Sequence, residues 1–205
     1  MKLTAGKKIE TESFRIIRSE MQNHFFSEEE AAVVVRVIHA TGDFEYAENI
    51  RFSRDAIDAG RNAIRNGYPI ITDVNMVKAG LNRKNPGGKN CGTVHCWIDT
   101  DETRAAAVEM GTTRAAAAFR LNKTFITDSI VAIGNAPTAL LEVLRLAAEE
   151  GLRPALVIGV PVGFVNAAES KEFLYTSDLN FITSLGRKGG SPVAAAIFNA
   201  IKALE

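Results

Sequence analysis

The sequence predicts an α/β fold, a parallel β-sheet with helices on both faces. Two observations predict it, and the length adds the domain count. Five short apolar, β-rich runs recur along the chain, at residues 70–74, 93–98, 129–133, 155–160 and 181–184; continuous apolar runs mark strands covered on both sides. Helix-like segments follow them, the clearest at 138–150 and 193–204, and strand–helix alternation indicates parallel crossovers. A chain of 205 residues fits one large domain, 1–205, better than two small ones.

The N-terminal quarter reads as helical. Thr11 or Ser13 is placed to cap a helix whose apolar stripe is Phe14, Ile17 and Met21, spaced three and four apart. A second helix begins at Ser27 with Glu30 three residues on, a capping box. Glu28, Glu29 and Glu30 suit the positive end of its macrodipole. Its body, 31–38, is apolar almost all round, which predicts burial, and it ends near Gly42. A helix over 53–65 precedes Gly67 and Pro69, and the alanine-rich stretch 114–119 is a further good helix former.

Lysine plus arginine number 24, as do aspartate plus glutamate, so the formal charge is zero. That balance argues against a nucleic-acid partner, and a neutral surface is tolerable where a chain buries area in an oligomer. No apolar run is long enough to span a membrane, which takes about 18 residues or more. The first eight residues lead into no apolar core of the signal-peptide kind. Cys91 and Cys96 form no disulfide pattern, so a cytoplasmic protein with free thiols is expected.

In an open α/β sheet, ligands bind beyond the carboxyl ends of the strands. That rule selects four loops, 73–78, 134–138, 161–166 and 186–192. The last carries the strongest physical message. Its glycines allow close backbone approach, Ser191 is placed to cap the final helix with Pro192 at its first position, and free N–H groups there attract anions. Arg187 and Lys188 add charge. A solvated turn that merely starts a helix is the alternative. The spacing is not that of a phosphate-binding P-loop. Pro137 is well placed to begin a helix after Gly134.

Of the three histidines, 24, 39 and 95, His39 stands out. It closes the apolar helix, and Arg36, three residues earlier, shares its face. One reading has Arg36 hold a ligand carboxylate while His39 transfers a proton, a task for which an imidazole is suited. The other has His39 finish the helix and Arg36 reach to water. Cys91, His95 and Cys96 lack the spacing of a standard metal site, so no metal is expected and a structural or ligand-lining role is preferred.

Seven segments, taken in order, resemble one family. They are 9–17 (IETESFRII), 36–43 (RVIHATGD), 72–77 (TDVNMV), 111–114 (GTTR), 132–140 (AIGNAPTAL), 159–165 (GVPVGFV) and 186–191 (GRKGGS). Together they resemble the precorrin-8X methylmutases, also called cobalt-precorrin-8 methylmutases, of cobalamin biosynthesis. The resemblance implies a flavodoxin-like, doubly wound, five-stranded parallel sheet with extra N-terminal helices, and a homodimer. It implies a cofactor-free isomerase that moves a methyl group from carbon 11 to carbon 12 of a corrin precursor. The family's catalytic histidine falls on His39, and its substrate-contacting serine and arginine fall on Ser13 and Arg36. The stretch 96–101 departs from the family pattern, which puts contacts there in doubt.

The implied substrate is a large flat tetrapyrrole with many carboxylate arms, which calls for an apolar slot rimmed by cations and helix N-termini. The expected binding set is therefore Ser13, Arg36, Asn75, Arg114, Arg187, Lys188 and Ser191. Two rivals share these residues. A tetrapyrrole carrier explains the anion-friendly loops without catalysis, and a nucleotide-binding protein would follow from fold and loop alone, a poor warrant.

Overall fold

The computed structural model describes residues 4–21, 26–82 and 91–205; His24 and the first three residues lie outside them. In chain order the elements are α1 (Ala5–Glu20), α2 (Glu28–Thr41), the short α3 (Tyr46–Asn49), β1 (Ile50–Phe52), α4 (Ala56–Arg65), β2 (Ile70–Thr72), α5 (Asn75–Gly80) and β3 (Val94–His95), then α6 (Asp101–Glu109), α7 (Arg114–Leu121), β4 (Ile130–Ile133), α8 (Pro137–Glu150), β5 (Leu156–Gly159), α9 (Ala167–Tyr175), β6 (Phe181–Ser184) and α10 (Ser191–Ala203).

The sheet has six strands in the order β1-β6-β5-β4-β2-β3. All five expected strands are present and mutually parallel, with registers such as Ile70 opposite Ile130 and Ile158 opposite Ile182. The expectation of a purely parallel, five-stranded sheet is corrected by β1, which pairs antiparallel with β6 at one edge. Three residues, Ile50, Arg51 and Phe52, are too short a run to show a period in the sequence.

Alternate strand residues feed two cores. Ile70, Ile130, Ala132, Leu156, Ile158 and Ile182 point into one, with α1, α2, α4, α5 and α10. Ile71, Val131, Ile133, Val157 and Phe181 point into the other, with α7, α8 and α9. Helices therefore cover both faces, as the apolar strands require.

Local sequence explains most boundaries. The Ser27 hydroxyl accepts from the Glu30 N–H while the Glu30 carboxylate accepts from the Ser27 N–H, so the capping box starts α2 as expected, and Gly42 ends it in the left-handed conformation (φ 67°). Val33, Val34, Val35, Val37 and Ile38 of α2 are buried. Pro137 opens α8. Three expectations fail. Thr4, not Thr11 or Ser13, caps α1; the hydroxyls of Thr11 and Ser13 instead donate back to the carbonyls of Lys7 and Ile9 in mid-helix. The 53–65 helix starts at Ala56, because the Ser53 hydroxyl accepts from the Phe181 N–H at the sheet edge. Gly190 occupies the cap position of α10, leaving Ser191 and Pro192 as its first two residues.

One buried carboxylate ties the second layer together. Glu142 of α8 accepts two bonds from Arg120 of α7, at 2.9 and 2.7 Å, and a further 2.7 Å bond from Arg145. Burial alone would raise its carboxyl, but the two guanidinium groups outweigh that and hold it below the usual carboxylate range. Glu142→Gln is expected to cost about 3 kcal/mol at neutral pH, since it leaves two cations short of their partner. A carboxyl held low contributes stability above its unfolded value, near 4.3, and loses it as pH falls through the folded one. Denaturation curves of the two proteins should therefore converge in acid, and equal stability at pH 7 would contradict this account.

Candidate functional site

The four loops selected by the carboxyl-end rule do meet. The first two join at Asp73, the residue after β2, whose side chain is buried. One carboxylate oxygen accepts from the Gly134 N–H at 3.1 Å, and the other accepts from the N–H groups of Asn135 and Ala136 at 2.7 Å each. Burial pushes the Asp73 carboxyl up, while these three donors pull against that shift. β2 and β4 are neighbours where successive crossovers turn in opposite directions along the sheet, the place where such folds take a ligand phosphate. Here a carboxylate of the chain itself fills the anion position before α8.

Gly134 packs on the next loop. A Cβ there would come within 2.8 Å of the Ser191 Cα and 2.9 Å of the Gly190 carbonyl oxygen. The Gly190 N–H donates to Val160, and the Gly163 N–H donates to Arg187. The loops after β4, β5 and β6 thus form one continuous ledge from which α10 starts.

Beside this ledge lies a cavity of about 220 Å³, lined by Arg36, His39 and Ala40 of α2, Gly80 of α5, and Pro192, Ala195, Ala196 and Asn199 of α10. The two helices meet closely here, and a Cβ on Gly80 would lie 2.8 Å from the Cβ of Ala195. Asn199 braces the wall by donating to the Gly80 carbonyl and accepting from the Asn82 N–H. His39 and Arg36 share the face that their spacing indicated. Both also meet Phe14 of α1: the His39 ring stands edge-on to it at 5.2 Å, and the Arg36 guanidinium lies 5.3 Å from its centre. Arg36 reaches Glu10 at 3.3 Å. The cavity thus brings an imidazole and a guanidinium together on one wall.

The other expected residues are distributed more widely. Ser13 sits next to Phe14 on α1, with its hydroxyl turned to the Ile9 carbonyl. Asn75 and Arg114 converge elsewhere, on Asp99, at 2.8 and 3.2 Å, with Arg104 also within ion-pair range. Arg187 lies over the exposed Phe164 ring. Ser191 is buried at the start of α10. The Lys188 ammonium is shared between Asp43 and Glu45. That contact outweighs burial, which acts the other way, and holds the Asp43 carboxyl low, and Glu45 is held low by Lys188 and Asn49. Sequence reasoning missed these two acids, as it missed Asp73 and Asn199. The one available signal was a charged residue set directly after a buried strand, at Asp73.

His95 stacks on Trp97 at 5.0 Å and meets Phe125 at 5.1 Å, an aromatic cluster at the β3 edge. Burial and Lys78 lower its imidazole below the ordinary value. Among the described residues, no three histidine, cysteine, aspartate or glutamate side chains gather as metal ligands.

Comparison with known proteins adds to this geometry. The family model described as precorrin-8X methylmutase matches residues 8–204. The chain belongs to the precorrin-8X methylmutase family. It is thereby an enzyme, an isomerase. A cobalt-precorrin-8 methylmutase of Methanocaldococcus jannaschii is 45% identical over 202 residues, covering 96% of this chain and 92% of the relative. A precorrin-8X methylmutase of Sinorhizobium is 42% identical over 199 residues, covering 96% and 93%. The crystal structure of a precorrin-8X methylmutase from Thermus thermophilus superposes with a TM-score of 0.86 at 42% identity, covering 97% of this chain and 95% of that one.

In this member of the methylmutase family, Asp73→Asn would turn an amide NH₂ toward backbone donors. Chemical denaturation should register a loss of about 3 kcal/mol, the scale of charge-assisted bonds broken in a buried site. A variant as stable as the parent would show that the three N–H contacts carry no weight.

Proposed function

We propose that the protein moves a methyl group from carbon 11 to carbon 12 of precorrin-8X or its cobalt form, giving hydrogenobyrinate or cobyrinate, with His39 as general acid and base. The observation that carries this reading is the placement of His39 and Arg36 together on the wall of one cavity, in a chain of this family. The His39 imidazolium donates a proton, or a full hydrogen bond, to the conjugated ring system near the migrating methyl. The bond from carbon 11 to the methyl breaks as the bond to carbon 12 forms, a 1,5-sigmatropic shift. The proton then returns to His39, so the reaction is balanced without a cofactor. Orientation of the ring against α2 and α10 supplies the remaining acceleration.

Arg36 exchanges its long contact with Glu10 for a substrate carboxylate. Ser13, Asn75, Arg114, Arg187 and Ser191 serve the other polar arms. A cavity of about 220 Å³ is below the roughly 300–1,000 Å³ that ligand sites of drug size offer, and a corrin precursor is larger still. A second copy of the chain completing the slot as a homodimer meets that shortfall. The doubly wound order of the parallel strands, β3-β2-β4-β5-β6, supports the flavodoxin-like assignment. Residues 1–205 act as one methylmutase domain, in the cytoplasm, where Cys91 and Cys96 remain thiols.

The test is incubation with cobalt-free and cobalt-loaded substrate, followed by visible absorption. Conversion of either supports the reading, whereas a bound spectrum that never changes would mark a carrier. His39→Ala should lower turnover by roughly 10²–10⁴-fold while binding stays within a few-fold. Arg36→Ala should instead weaken binding by about 1.5–3 kcal/mol, roughly tenfold to a hundredfold. Normal turnover without the imidazole, or undiminished affinity without the guanidinium, would reassign that residue.

A further inference from the structure

Lys171 of α9 is fully buried. Its ammonium donates to the carbonyl of Lys188 at 2.6 Å. The Ser184 hydroxyl donates to the same carbonyl at 3.0 Å. Desolvation alone accounts for the lowering of its pKa to about 8, with no carboxylate contributing. Buried lysines are rare unless paired, so a lysine spent on one backbone carbonyl calls for an explanation.

The Lys188 side chain supplies it. From the backbone that Lys171 holds, the Lys188 ammonium extends to Asp43 and Glu45. Both acids lie in the turn that follows α2, four and six residues after His39. Asp43 organises that turn, since its carboxylate accepts from the Glu45 N–H at 3.0 Å while its own N–H donates to the Thr41 hydroxyl at 3.3 Å. A second link runs in parallel, from the Tyr46 hydroxyl to the Gly189 carbonyl at 3.4 Å. Ion pairs as exposed as those of Lys188 contribute little to stability by themselves. Their value lies in geometry, because one end of the link is fixed inside the protein.

We propose that Lys171 is a positioning residue for His39, acting through the Lys188 backbone and the Asp43–Glu45 turn. Lys188 is then a strut between the glycine-rich loop and the end of α2, and not a cation of the substrate rim. The inference rests on the proposed role of His39 for its kinetic part only. A misplacement of about 1 Å can cost a reaction as much as 10²-fold in rate.

Three variants test it: Lys171→Met, which removes the donor; Lys171→Gln, which keeps a shorter one; and Asp43→Asn, which removes one of the two carboxylates at the surface end of the link and leaves the core intact. The readouts are the imidazole signals of His39 in a carbon–proton NMR spectrum, with no ligand present, and kcat and KM on the tetrapyrrole substrate. The His39 signals should move in Lys171→Met and in Asp43→Asn, and less in Lys171→Gln. kcat should fall about tenfold in the first two, with KM within threefold. Lys171→Met combined with Asp43→Asn should be no slower than the worse of the two alone, as expected for members of one chain of contacts. The idea is overturned if Asp43→Asn, which does not disturb the core, leaves both the His39 signals and kcat at parental values. It is equally overturned if Lys171→Met folds and leaves them unchanged. Should the parent itself fail to convert substrate, the proposed reaction falls, while the NMR comparison still decides the strut.

Discussion

Asp73 sets the constraint on which the rest of the architecture depends. A carboxylate removed from water must find donors, and here the donors are three consecutive backbone N–H groups at the approach to α8. That requirement fixes the end of β2 against the turn after β4. Because Gly134 in that turn lies against Gly190 and Ser191, the same contact sets where α10 begins. Pro192, Ala195 and Ala196, which face His39 across the cavity, inherit their positions from it. The N–H groups before α8, where such folds customarily take a phosphate, are thus engaged by a carboxylate of the chain itself.

The α2–α10 side is organised by a different principle. Phe14 offers its ring to both His39 and Arg36, so α1 is coupled to this cavity wall through one aromatic ring as well as through the Glu10–Arg36 pair. Aromatic faces attract cations and accept the edges of other rings, which explains how a single side chain orders two polar neighbours without using their hydrogen-bonding capacity, part of which Arg36 spends on Glu10.

Features encoded within a few residues were legible in the sequence. The Ser27–Glu30 box, Gly42, Pro137 and the strand 181–184 stand where local chemistry puts them. The errors arose where a distant partner overrode local preference. Ser53 abandons its helix because β6 supplies a donor 128 positions away. β1 exists only because β6 is beside it. Among site residues, the Arg36–His39 pairing follows from helical spacing and needed no tertiary information. The engagement of Lys188 depends on acids 145 and 143 positions earlier, and no spacing rule connects them. Cation-rich loops look alike in sequence whether their charges meet a ligand or the chain itself.

The strand that was missed also affects how molecules of this protein meet one another. At one margin of the sheet stands β1, three residues long, with Arg51 in its middle turned to the carbonyls of Glu48 and Ile50. At the other margin, β3 has two residues. Margins this brief, one of them carrying a charge, offer few unpaired amides on which a foreign strand could register. Among the described residues, growth by adding strand to strand, the route to fibrous aggregates, therefore finds little purchase at either end of the sheet.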